Sequence, residues 1–198
     1  MHNDKLGKAG ILRREAMLGA AAALTGAVVN AKAQTQDQDE PPDPKWIGPQ
    51  KGDRLVFLTG PKKGQPIHVD DLVLGAEQVQ AYPADPNGTV RDGSRLNLLI
   101  VAKVGTEGLG EDTAKRAADG VVAYSGVCTH QGCAVNMWVE DDKHFVCSCH
   151  GSVYDPKDNA EVLDGPAPRH LAGLPLKSEN GLLVVAGAFV GRLGVQKD

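Results

Sequence analysis

The chain has 198 residues, 41% of them hydrophobic and 23% charged, with a formal net charge of −4; that is enough for one packed domain with appendages and too little for two full ones. Glycine (24) and proline (12) are over-used and aromatics make up only 4%, which argues for short elements joined by many turns and against a helical bundle. All four cysteines, Cys128, Cys133, Cys147 and Cys149, fall within 22 consecutive residues, so they build one local site and do not staple the whole fold.

At the amino terminus, Lys5, Lys8, Arg13 and Arg14 precede the apolar run Ala16 to Val29, which is the order of a signal peptide. The run has 14 residues rich in Ala and Gly, short of the roughly 17–25 that a spanning helix needs. Ala31-Lys32-Ala33 then offers a small-x-small cleavage pattern before Gln34, so residues 1–33 are read as a signal removed on export. Arg13-Arg14 resembles a twin-arginine signal, the route of proteins exported already folded around a cofactor. Leu12 stands where Ser or Thr is usual, and Ala16-Met17 where a bulky pair is usual. The alternative is an uncleaved terminus that anchors the chain in a membrane. Without residues 1–33 the balance is 16 basic against 23 acidic residues, a net −7, so nothing points to a nucleic-acid partner or an anionic membrane surface; such a surface would suit docking to a basic partner protein, although most acidic surfaces are merely solvated.

Residues 34–50 are polar, acidic and broken by Pro41, Pro42, Pro44 and Pro49, and read as a flexible or polyproline-like leader, with the folded domain spanning 51–198. Strand-like segments follow at 55–59, 67–74, 77–82 and 96–104, separated by clusters such as GPKKGQP and PADPNG. Residues 105–120 form a polar insertion with at most a helical turn in Glu111 to Ala118. VVAYS (121–125) leads into a Gly/Cys/His-rich region reaching about residue 170, and three further strand-like segments close the chain at LAGLPLK, LLVVAG and FVGRLGV. No 3.6-residue period of useful length competes. The expected class is all-β: an antiparallel sandwich or barrel-like fold.

The chemistry concentrates in Cys128-Thr129-His130-Gln131-Gly132-Cys133 and Cys147-Ser148-Cys149-His150-Gly151-Ser152-Val153-Tyr154. Each stretch offers Cys and His at a spacing that places two ligands at the tip of a tight turn, so four of these side chains can close one metal site. Ligand types alone leave a structural zinc site of two Cys and two His open. The leftover pair, Cys133 and Cys149, one on each stretch, and the hydroxyls that follow weigh against it. His2, His68, His144 and His170 lie outside both stretches and are not read as ligands. No carboxylate pair or nucleophile–base set supports hydrolysis.

The two stretches resemble the signatures of the Rieske iron–sulfur family, C-T-H-x-G-C and C-x-C-H-G-S-x-Y, at nearly every position. The likeness is specific over 128–168, good over about 120–195 and loose over 51–119. It implies an antiparallel base domain with a small cluster-binding subdomain inserted at about 126–170. It also implies one [2Fe-2S] cluster, with Cys128 and Cys147 on one iron and His130 and His150 on the other, and a disulfide joining Cys133 to Cys149. Neutral imidazoles in place of two thiolates lower the negative charge on a cluster, so potentials of about −150 to +300 mV replace about −400 mV. By the same resemblance, Ser152 Oγ reaches a bridging sulfide and Tyr154 OH the sulfur of Cys128, both donors that stabilise an added electron. Gly165-Pro166-Ala167-Pro168 resembles the family's proline loop, a stiff cover on a third side.

The function implied is high-potential, proton-coupled one-electron transfer in the periplasm. The donor is one such as quinol and the acceptor a c-type cytochrome, as in the iron–sulfur subunit of cytochrome bc-type complexes. Gln131 departs from the apolar Leu usual after the first histidine in quinol-oxidising members. The nearest alternative is a soluble Rieske small subunit of a periplasmic oxidase of the arsenite oxidase type; one of another class is a zinc-stabilised export domain without redox activity.

Overall fold

Alternation within two adjacent strands explains where the two apolar layers form. In β3 (Leu99–Lys103) and β4 (Val121–Ser125), Leu99, Val101, Val121 and Ala123 face one core with Leu55 of β1 (Arg54–Phe57), while Ile100, Ala102, Val122 and Tyr124 face a second. Both faces of β3 and β4 are therefore buried, and their runs are apolar from Leu99 to Ala102 and from Val121 to Tyr124 instead of alternating with polar residues. The structure is a computed structural model and describes residues 42–195. The expected signal peptide, 1–33, and the first part of the expected leader lie outside the described residues.

Two antiparallel sheets result. The larger has the order β4-β3-β2-β1-β10-β9, with β2 at Val79–Ala84, β9 at Leu176–Glu179 and β10 at Leu182–Val185. The segment entering β9 returns to β4 through Ser125 N–H to Ala172 O and Leu174 N–H to Ala123 O, both 2.8 Å, which brings the edges of that sheet together. Its core holds Leu55, Ile67, Leu99, Val101, Val121, Leu183 and Val185 at no measurable exposure, each large side chain contributing roughly 1.5–3 kcal/mol by burial. The smaller sheet, β5-β6-β7-β8, comprises Val135–Val139, His144–Cys147, Val153–Asp155 and Glu161–Asp164 and lies between β4 and β9 in the chain. A single helical turn, α1 (Glu111–Ala114), occupies the polar insertion.

The second core lies between the sheets. Phe145 is fully buried and meets Tyr124 edge-on, with ring centroids 6.0 Å apart, and Trp138 at 5.6 Å. The Tyr124 hydroxyl donates to Pro156 O at 3.0 Å and lies 3.3 Å from Thr113 Oγ1, which pins the smaller sheet to the larger one. Cys128, Cys147 and Tyr154 belong to this same core, so the chemistry sits on packed side chains.

Three expectations need correction. Residues 67–74 do not form a strand: Asp71 accepts the His68 N–H at 2.9 Å and caps a 3-10 turn at Val69–Asp71, a local alternative that overrides β-propensity. FVGRLGV contributes only an isolated bridge, Val190 to Gly173, because Gly191 (φ +102°) and Gly194 (φ +61°) break extension directly after it. The last part of the segment read as leader is tied down: Arg91 Nη1 donates to Pro44 O, Gly93 N–H to Lys45 O and Asn97 Nδ2 to Ile47 O, at 2.9–3.0 Å. Trp46 beside them is 66% exposed.

Candidate metal centre

The two Cys/His stretches fold into loops with the same hydrogen-bond scheme. In the first, Cys128 N–H donates to Cys133 O at 2.8 Å and Gly132 N–H returns to Cys128 O at 3.0 Å; in the second, Cys147 N–H donates to Ser152 O at 2.9 Å and Gly151 N–H to Cys147 O at 3.0 Å. The scheme requires a left-handed residue four positions after each cysteine. Gly132 and Gly151 meet it at φ +75° and +73°, a conformation open to glycine at no steric cost. The first loop leaves β4 and feeds β5, while the second joins β6 to β7.

The loops bring four donors together. Cys128 and Cys147 are the free cysteines among the described residues, and both are buried. Burial pushes the Cys147 thiol up, and the neighbouring Cys128 adds to the shift, while the backbone N–H groups of Cys149 and His150 oppose it. Two thiols crowded in this way suit a cation that takes both as thiolates. The His130 and His150 rings meet edge-on with centroids 4.6 Å apart. His130 Nδ1 is buried and makes no hydrogen bond, although a buried ring nitrogen ordinarily has a partner. An orphaned imidazole nitrogen beside two free thiols fits a metal group of mixed sulfur and nitrogen donors.

A disulfide joins Cys133 to Cys149 and so ties one loop to the other. It lies directly against the site, since the sulfurs of Cys133, Cys147 and Cys149 are within 4.8 Å of one another. Two of those three are bonded to each other, so Cys147 alone of the three is free to bind metal.

The surroundings supply donors. Tyr154 OH stands 3.1 Å from Cys128 Sγ. Burial first, and then Cys128, push its hydroxyl well above the usual tyrosine range, so it stays protonated and can donate. Ser152 is fully buried, and its Oγ accepts Ala167 N–H at 3.1 Å, leaving its own proton free. Gly165 (φ +89°) passes so close that a Cβ there would lie 2.5 Å from Ser152 Cα. The Gly165–Pro168 loop is thus fastened to the second loop through Ser152, and to the first through Thr129 Oγ1, which donates to Arg169 O at 2.7 Å.

Residues outside both motifs also hold the first loop. Arg95 Nη2 donates to Gly132 O, and Arg169 reaches the chain at 192–194. The Gly-Pro-Ala-Pro run that Arg169 follows is the nearest signal in the sequence; Arg95 has none.

Two thiols, two imidazoles and a disulfide on a pair of matched loops define a two-loop metal-binding domain with sulfur and nitrogen donors. Residues 78–175 match the family model of the Rieske [2Fe-2S] domain, and the chain belongs to that family, whose domain takes one [2Fe-2S] cluster. A stretch of 76 residues is 46% identical to a protein of Haloferax mediterranei named as a candidate Rieske subunit of a respiratory nitrate reductase, covering 38% of this chain and 34% of that one. The cytochrome bc1 complex Rieske iron-sulfur subunit of Streptomyces lividans is 38% identical over 77 residues, 38% of this chain and 45% of that protein. Among solved structures, the plasma-membrane Rieske protein of Synechocystis PCC 6803 aligns with a TM-score of 0.37 and 25% identity over 55% of this chain and 84% of that one. The chain thus spans less than half the length of these curated relatives.

Proposed function

We propose that this chain is an exported one-electron carrier in which Cys128 and Cys147 hold one iron of the cluster and His130 and His150 the other. The observation that carries this reading is the pairing of two buried free thiols with two edge-on imidazoles, one of them with an orphaned Nδ1, on loops locked by a disulfide. When bound, the cluster supplies reversible one-electron chemistry at a potential raised by its imidazole ligands. The chain's own side chains do the rest. Tyr154 donates toward Cys128 and Ser152 keeps a hydroxyl proton for the cluster's edge, both favouring the more negative state. The Gly165–Pro168 loop limits water on the third side. His150 is exposed and His130 half-buried, so a ring edge of each is open to a partner and can exchange a proton there as charge changes.

A cytochrome complex as the setting is supported by the names of the bc1 relatives and of a cytochrome b6-f complex iron-sulfur subunit of Chlorobaculum thiosulfatiphilum, 38% identical over 68 residues; within that setting a quinol donor and a c-type cytochrome acceptor are the pair proposed for this chain. Export to the periplasm is supported by the disulfide, which persists in oxidising compartments, and by Arg13-Arg14 ahead of an apolar run. The deciding experiment is an EPR spectrum of the dithionite-reduced full chain: a rhombic [2Fe-2S] signal from a coloured protein is expected, whereas a colourless and EPR-silent protein loaded with zinc overturns the reading.

A further inference from the structure

Arg169 follows the Gly165–Pro168 loop and makes three backbone connections. Its carbonyl accepts the Thr129 hydroxyl at 2.7 Å, one residue before His130. Its Nη1 donates to Arg192 O at 2.8 Å, and its Nη2 to Gly194 O. The segment 190–195 therefore runs on from the isolated Gly173–Val190 bridge, where N to O distances are 2.9 and 2.8 Å, and is drawn onto the first loop. There Gly132 has little room: a Cβ would meet Val195 Cγ2 at 3.3 Å. Gly194 is packed as tightly, with a Cβ position 2.9 Å from Leu96 Cδ2. Arg95 closes the same place by donating to Gly132 O.

Neither Arg95 nor Arg169 belongs to an ion pair among the described residues. The Arg169 guanidinium is committed to carbonyls, and its buried Nε has no partner. A planar fork of fixed donors can hold two carbonyls at once, which the single point charge of a lysine does not reproduce.

We propose that Arg169 is a positioning residue for the first ligand loop: its fork clamps the segment 190–195 over Gly132, and through Thr129 it fixes the approach of His130. This rests on the reading of His130 as an iron ligand. The clamp itself can be read without that assumption, because Arg192 is exposed and the carbonyl of its own scissile bond is the one that Arg169 Nη1 holds.

The test uses the full chain carrying its cluster, as the natural protein and as Arg169→Gln and Arg169→Lys. Trypsin is expected to cut after Arg192 several-fold faster in both variants. The EPR line shape of the reduced form, which senses how the imidazoles are held, is expected to change in both, and loss of colour in the presence of a chelator to quicken. Val195→Gly removes, at an exposed position, the side chain that stands against the Cβ position of Gly132 and is expected to reproduce the EPR change should Arg169→Gln fail to fold. Wild-type cleavage rates in both arginine variants overturn the clamp. Faster cleavage with an unchanged EPR spectrum overturns its positioning role, and so does an Arg169→Lys protein that behaves as wild type, since that result assigns the effect to charge alone. If the natural chain binds no cluster, the functional reading fails while the trypsin comparison still decides the clamp.

Discussion

The Tyr154 hydroxyl lies 3.1 Å from the sulfur of Cys128, and both groups are buried, at 0% and 1% exposure. With its pKa pushed up by burial and by Cys128, the phenol is a donor across the whole accessible pH range. A donor of this kind stabilises sulfur more as negative charge grows on it. Tyr154→Phe is therefore expected to lower the midpoint potential while the cluster is retained. A differential of about 1 kcal/mol for one such bond corresponds to a fall of roughly 40 mV, at about 59 mV per factor of ten for one electron. Protein-film voltammetry measures it, and an unchanged potential removes the assigned role.

Ser152→Ala should do two things where Tyr154→Phe does one. The lost hydroxyl proton lowers the potential, and the lost Oγ leaves the buried Ala167 N–H without its acceptor at 3.1 Å. An unsatisfied buried donor costs about 1–3 kcal/mol, so the serine variant should also melt earlier than the tyrosine variant. Equal melting temperatures would show that the Ser152–Ala167 bond does not hold the proline loop.

How much of this was legible in the sequence depends on the range of the contact. The ligand candidates stand two and three residues apart in two short stretches whose glycines and cysteines set the turn, so the local pattern carries the local geometry. VVAYS is β4 residue for residue, because a strand buried on both faces reads as an unbroken apolar run. The 3-10 turn at Val69–Asp71 hides in an equally apolar run, since its cause is a single carboxylate capping His68. Thr129 to Arg169, and Arg91 to Asp53, join residues about forty positions apart. No periodicity announces such pairs, and only the closed sheet brings them together.

Two glycines in the site separate backbone strain from close packing. Gly151 has φ +73° with open space around a Cβ, whereas Gly165 has φ +89° and Ser152 backbone atoms at 2.5 and 2.8 Å from where its Cβ would stand. Gly151→Ala should cost only the left-handed penalty, about 1–2 kcal/mol, and still load its cluster. Gly165→Ala should push the proline loop off Ser152 and yield protein depleted in cluster. Iron and sulfide content per chain, measured on both, distinguishes the two effects.

The disulfide closes a loop of 16 residues between Cys133 and Cys149, for which chain entropy allows about 3 kcal/mol. Its sulfurs lie beside Cys147, so its removal frees the ligand loops from each other. In a Cys133→Ser/Cys149→Ser protein the cluster should decay faster in air and titrate at a lower potential, whereas Cys147→Ser should abolish it. A double variant matching the natural protein in both respects would assign the disulfide to general stability.

The buried ion pair beside the larger sheet provides the matching control, because it stabilises the domain from outside the two ligand loops. Asp53 is 1% exposed and accepts Arg91 Nε at 2.6 Å and Nη2 at 3.0 Å, as well as Gln50 N–H at 2.7 Å. The hydrogen bond to Asp53 raises the Arg91 pKa further. Arg91 also donates to Pro44 O, so the pair anchors the segment leading into β1. Removing one partner strands a buried charge, and Asp53→Ala should cost about 3–5 kcal/mol. The expected outcome is a large fall in melting temperature with an unchanged midpoint potential and EPR spectrum in the protein that remains folded. A shifted potential would mean that strain in the larger sheet reaches the ligand loops, and that the second core between the sheets transmits it.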